Sequence, residues 1–86
     1  MVSVYLIKSY IDDSYYCGIS EDPHKRLLTH NKGGLKVTSR KKPWILVYAK
    51  RYNCYEQARR HEKWLKKKNR QYKDYLAQLA PPEAAG

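Results

Sequence analysis

VSVYLIKSYIDDSYYCGIS, residues 2–20, is the stretch on which the fold turns. Its first eight residues are rich in β-branched and aromatic side chains. YIDDS then supplies the Asp and Ser typical of a chain reversal, and YYCGIS (15–20) resumes strand chemistry. The reading is a β-hairpin. Alternation along a strand sends Tyr5 to one face with Ile7, and sends Tyr16 to the face opposite Tyr15.

Working outward, Glu21, Asp22 and Pro23 place acidic residues and a proline where a helix begins. That helix runs through HKRLLTHN and stops near Gly33 and Gly34, anchored by Leu27 and Leu28. GGLKVTSRKKP (33–43) reads as a basic, mobile connector. WILVYAKRY (44–52) is apolar at nearly every position of its first half, the mark of a strand central in its sheet. YEQARRHEKWLKKK (55–68) is a helix with Ala58, Leu65 and either His61 or Trp64 on one stripe. RQYKDYLAQL (70–79) repeats Tyr72, Tyr75, Leu76 and Leu79 at helical spacing. The expected fold class is therefore α/β (α+β). It is a small, largely antiparallel three-stranded sheet flanked by helices in the order ββαβαα, with one domain over residues 1–80 and a disordered tail at 81–86.

The chain has 86 residues, nine of them tyrosine and none phenylalanine, and 18 Lys and Arg against 8 Asp and Glu give a net charge of +10. Such an excess suits a polyanion, nucleic acid ahead of a membrane surface. No apolar run approaches the roughly 18 residues of a spanning helix, and Ser3, Lys8 and Ser9 interrupt any leader-like segment, so the expected location is the cytoplasm. Cys17 and Cys54 stand far apart without the spacing of a zinc site, which points to two free thiols.

Three groups of residues break their local pattern. Glu62 falls on or beside the apolar stripe of its helix. A carboxylate there either pairs with Arg59 or a lysine, or binds a cation such as Mg²⁺ that keeps much of its water shell. Arg26 and His30 lie four apart on one helical face, either as a solvated basic surface or as a phosphate clamp with a proton carrier. Tyr5 and Tyr16, on facing arms of the hairpin, are ordinary core residues or phenols whose anions nearby cations would favour.

With these residues in view, the chain resembles the GIY-YIG nuclease domain family, and is most similar to its small stand-alone bacterial members. The resemblance covers roughly residues 3–79. It rests on VYL (4–6), YCG (16–18), HKRLLTHN (24–31) and RRHEKWLKK (59–67), four motifs in family order. It implies Tyr5 and Tyr16 as active-site phenols, Arg26 as the phosphate-stabilising arginine, His30 as an auxiliary catalytic group and Glu62 as the metal ligand for one Mg²⁺ or Mn²⁺. The implied activity is endonucleolytic hydrolysis of DNA phosphodiester bonds by water, in the manner of repair nucleases, with either tyrosine as the base. Val4 and Leu6 flank Tyr5 where the family's first motif has other residues, and Ile19 stands where some members carry a lysine. Asn69 and Asp74 both lie near the place of a further polar residue downstream of the glutamate.

Lys25, Lys36, Arg40, Lys41, Lys42 and Arg60 are the candidate DNA contacts. Phosphate contacts position a protein and base contacts specify sequence, so such a domain should bind DNA with little sequence preference. Branched or damaged DNA, or a partner protein, would supply selectivity. The competing reading is a non-catalytic nucleic-acid-binding module with a degenerate nuclease fold. An RNA-associated protein ranks third, since no RRM-like aromatic motif supports it.

Overall fold

A computed structural model describes residues 1–79; the expected tail at 81–86 lies outside the described residues. The elements are β1 (Val2–Ser9), β2 (Tyr15–Ser20), α1 (Pro23–Asn31), α2 (Lys36–Ser39), β3 (Trp44–Tyr52), α3 (Tyr55–Lys66) and α4 (Arg70–Gln78). The expected ββαβαα order is present, with the one-turn α2 added inside the connector.

The hairpin forms as its composition dictates. In the reversal, Ser9 N–H donates to the Ser14 carbonyl and Asp13 N–H to the Ser9 carbonyl. Asp13 takes a positive φ of 61°, a conformation an Asp tolerates better than most side chains. The resulting register sets Tyr5 opposite Gly18 and Ile7 opposite Tyr16.

The sheet order is β2-β1-β3, antiparallel throughout, so β1 is the central strand and β3 an edge, contrary to the expectation for residues 44–52. The reason is that helices cover both faces of this sheet. An edge strand sandwiched between two layers becomes as apolar as a central one. A register shift at Leu6/Ile7 inserts one extra β3 residue, a bulge that sends Val47 and Tyr48 to the same side.

Two cores result. On one face Val4, Leu6, Cys17 and Val47 pack against Ala58 and Leu65 of α3 and Leu76 of α4. Leu65 is fully buried there, and truncating such a leucine to alanine costs about 2–5 kcal/mol. On the other face Tyr5, Ile7, Trp44 and Leu46 pack with Tyr16 and Leu27 under α1. Leu28, expected to anchor α1, is 59% exposed, and the buried residue of that helix is His30. Asp22 caps α1 by accepting from Lys25 N–H at 3.1 Å, with Pro23 in the first turn, and Asn69 caps α4 by accepting from Tyr72 N–H at 3.0 Å.

Both cysteines are free, Cys17 buried and Cys54 exposed. Among the described residues no helix is long and apolar enough to cross a membrane.

Candidate active site

The hairpin and α1 bring four of the five expected site residues to one face of the sheet. Strand alternation points Tyr5 and Tyr16 toward α1, while Tyr15 points the other way, packs beside the α3 core and donates its hydroxyl to Asp74 Oδ1. Asp74 also meets Arg70, and Asn69 caps α4, so both polar residues downstream of Glu62 have structural partners.

Tyr5 is 2% exposed and its ring lies across β2 over Gly18, where a Cβ would stand 2.5 Å from the phenolic oxygen. Gly18 therefore leaves room for the ring of Tyr5. His30 is 0% exposed, with Nε2 2.9 Å from the Tyr5 hydroxyl and Nδ1 2.8 Å from Thr38 Oγ1. The Tyr16 ring meets His30 edge-on at 5.1 Å between centroids. His30 is therefore no part of a solvated basic face. Its helical neighbour one turn back, Arg26, is exposed and shares a surface depression with Ser20, Glu21, Asp22, Lys25 and Thr29.

Electrostatics follow from this packing. Burial pushes the Tyr5 phenol up to about 12, against the opposing pull of the Arg26 guanidinium beside it. The expectation that cations would lower this phenol is thus reversed at Tyr5, because desolvation outweighs one neighbouring charge. Burial also lowers His30 below its ordinary value, and the Arg26 charge adds to the effect. At neutral pH the pair is a protonated phenol facing a neutral imidazole.

Glu62 is 6% exposed and sits on α3 with Ala58 and Leu65, on the other face of the sheet. Its two carboxylate oxygens meet Arg59 and Lys66, the latter at 3.4 Å, the ion-paired arrangement that α3 periodicity allowed. The negative charge is felt by Cys17, whose thiol is pushed up to about 11, by burial first and by Glu62 second. Cys17 and Tyr16 are neighbours on β2 with side chains on opposite faces, so Glu62 and the phenol cluster straddle this edge strand. Among the described residues no group of three His, Cys, Asp or Glu could hold a metal. A single carboxylate still fits a divalent ion that retains most of its water, provided Arg59 and Lys66, both about half exposed, release an oxygen.

The expected DNA contacts are all exposed but fall in three places. Lys25 adjoins Arg26, Arg60 projects from α3, and Lys36, Arg40, Lys41 and Lys42 line the connector, where Lys41 pairs with Asp12 at 3.3 Å. The connector is not a loose tether. Trp44 N–H donates to Asn31 Oδ1, Asn31 Nδ2 donates to the Trp44 carbonyl at 3.0 Å, and the Trp44 indole donates to the Thr38 carbonyl at 2.9 Å. Thr38 itself is fully buried. It is the site residue that sequence reasoning missed, its one signal being a hydroxyl eight residues past His30 in a run otherwise dominated by Lys, Arg and Gly.

Comparison with known proteins identifies the family and the fold. The GIY-YIG catalytic domain model matches residues 1–75. The chain is 38% identical over 64 residues to the UPF0213 protein YazA of Bacillus subtilis, a match covering 73% of this chain and 65% of that one. It is 37% identical over 71 residues to a UPF0213 protein of Staphylococcus haemolyticus, covering 81% and 85%. The solution structure of a UPF0213 protein from Bacillus halodurans superposes with a TM-score of 0.58 at 31% identity, over 95% of this chain and 88% of that one. The chain thus spans just under two thirds of the length of the Bacillus subtilis relative. It belongs to the GIY-YIG family, a family of nucleases.

Proposed function

We propose that this GIY-YIG domain is a metal-dependent endonuclease that hydrolyses DNA phosphodiester bonds with little sequence preference of its own. The observation that carries the reading is the hydrogen bond between Tyr5 and the buried, neutral His30, with the Arg26 guanidinium beside the phenol. A phenol held near 12 is a poor base by itself. Coupled to His30 it becomes a competent one. Water attacking the phosphorus gives its proton to the Tyr5 oxygen while the Tyr5 proton passes to His30 Nε2, leaving an imidazolium and no net charge on the phenol.

Arg26 is exposed and can present two N–H groups to phosphate oxygens, neutralising the charge that builds as water adds. Tyr16, half-buried against His30, orients the attacking water beside Tyr5. Glu62 is the residue to hold a divalent ion, Mg²⁺ or Mn²⁺, whose chemistry there is to polarise the phosphate and stabilise the leaving oxygen. Lys25 and the connector cations steer the backbone and make binding fall steeply with salt.

The second reading, a DNA-binding module without turnover, draws on the ion pairs that occupy both oxygens of Glu62. One experiment separates the two. Supercoiled plasmid and labelled branched or damaged duplexes are incubated with Mg²⁺ and with Mn²⁺, with Glu62→Gln and Arg26→Ala beside the wild type. Loss of cutting in both variants, on the order of 100-fold or more with DNA affinity retained, supports the enzyme. Wild-type binding without cutting under either metal refutes it, and unaltered cutting by Glu62→Gln removes that residue from the mechanism.

A further inference from the structure

The proton transfer from Tyr5 to His30 works in only one tautomer. Nε2 must be bare to accept from the phenol, so the ring proton must sit on Nδ1. Buried histidines receive their tautomer from whatever the other nitrogen faces. Here that partner is Thr38 Oγ1 at 2.8 Å. A threonine hydroxyl can donate or accept, and its direction is decided one step further out. Thr38 Oγ1 lies 3.4 Å from the Leu35 carbonyl, a group that can only accept. A hydroxyl proton directed at Leu35, the orientation the 3.4 Å contact allows, leaves a lone pair aimed at His30.

We infer that Thr38 is a positioning residue that fixes His30 as the Nδ1–H tautomer through the chain Leu35 C=O, Thr38 Oγ1, His30 and Tyr5. The rest of the connector is built to keep it there. The backbone N–H of Thr38 also donates to the Leu35 carbonyl at 3.2 Å, closing the α2 turn from the front. The Thr38 carbonyl accepts both the Trp44 indole, at 2.9 Å, and Lys41 N–H, at 3.2 Å, which fixes it from behind. The Asn31 side chain clips Trp44 at the end of the helix that carries His30, so the histidine and its threonine move as one unit. No charge on the connector explains why a hydroxyl should be fully buried within it; contact with His30 does.

The consequence for rate rests on the nuclease reading, whereas the tautomer is a property of the folded protein. The two are therefore measured separately. Long-range ¹H–¹⁵N correlation spectra of histidine-labelled protein, without DNA or metal, report which ring nitrogen of each histidine is protonated. His30 is assigned by its contacts to the Tyr5 and Tyr16 rings. The wild type and Thr38→Ser are expected to show His30 as the Nδ1–H form, and Thr38→Val to shift it to the Nε2–H form or a mixture. In cleavage assays Thr38→Val is expected to lose on the order of 100-fold in turnover with DNA affinity kept, while Thr38→Ser recovers most of it, since positioned acid–base groups contribute at least that much.

An Nε2–H wild type overturns the inference, as does Thr38→Val retaining the wild-type tautomer. Should Thr38→Val fail to fold, Thr38→Ala takes its place in the same comparison, and an Nε2–H wild-type spectrum overturns the inference by itself. A wild type that shows the Nδ1–H form yet cuts no DNA refutes the nuclease reading alone.

Discussion

Replacing Gly18 by alanine tests the geometry of the site more sharply than removing any catalytic group. The added Cβ would lie 2.5 Å from the Tyr5 phenolic oxygen, 2.6 Å from Cζ and 2.9 Å from Cε1. Ordinary carbon contacts begin near 3.5 Å, so the ring must move by about 1 Å. The Tyr5 side chain is 2% exposed and tied to His30 at 2.9 Å, and a hydrogen bond stretched by that much is lost. Overpacking costs about 1–3 kcal/mol and the broken bond about 1 kcal/mol, together about 2–4 kcal/mol. The opposing gain, from replacing a flexible glycine inside a strand, is only about 0.5–1 kcal/mol. Destabilisation wins.

A domain of this length has about 4–13 kcal/mol of stability in hand, so the variant should fold but melt well below the wild type. Urea unfolding followed by circular dichroism measures the difference, and plasmid cleavage reports the displaced phenol. In the double variant Gly18→Ala with Tyr5→Leu, where the side chain ends short of Cζ, the alanine should cost nothing further. A Gly18→Ala protein as stable as the wild type, or more so, would falsify the placement of Tyr5 over β2 and with it the contact to His30.

Two further predictions follow from the same structure. Tyr15→Phe removes the hydroxyl that bonds Asp74, on the face away from the phenol cluster, and should cost about 1 kcal/mol, or roughly 4–8 °C in Tm, with cleavage unchanged; lost cleavage would show that Tyr15 reaches the site. The pH profile of stability should fall on both sides of neutrality. Tyr5 and Tyr15 are raised from 10.0 to about 12, so the unfolded chain loses these protons first, and stability that is full below pH 10 declines as pH rises toward 12. His30 and His61 are lowered from 6.5, so the unfolded chain takes up protons first, and stability present above pH 6.5 declines as pH falls below it. Urea midpoints at pH 5, 7.5 and 11 check both limbs, and an unchanged midpoint at either extreme contradicts the corresponding burial.

The sequence made the hairpin, the α1 start signal and the helical spacing of α3 and α4 legible, because each is a local matter of propensity and period. Hairpin register paired Tyr5 with Tyr16, and a four-residue helical step paired Arg26 with His30, both short-range geometry; it was the family resemblance that implied the two pairs form one site. It failed where a residue's partner comes from elsewhere in the chain. Leu28 looks like an anchor and His30 like surface, yet the sheet meets α1 on its histidine side, where Tyr5 and Thr38 satisfy both ring nitrogens. A histidine with two assured partners can be buried at little cost, and no periodicity announces that.

Strand β3 shows the same limit in packing. Apolar side chains at consecutive positions report that both faces are covered, and they carry no information on how many neighbours the backbone has. What places β1 in the middle is hydrogen bonding to both later strands, β2 along one edge and β3 along the other, a property of the whole topology. That topology also explains the layout of the site. With β2 at the edge, one face of it carries Tyr16 and the other Cys17, so α1 and α3 flank one strand from opposite sides. Arg26 on α1 and Glu62 on α3 therefore lie on opposite sides of β2.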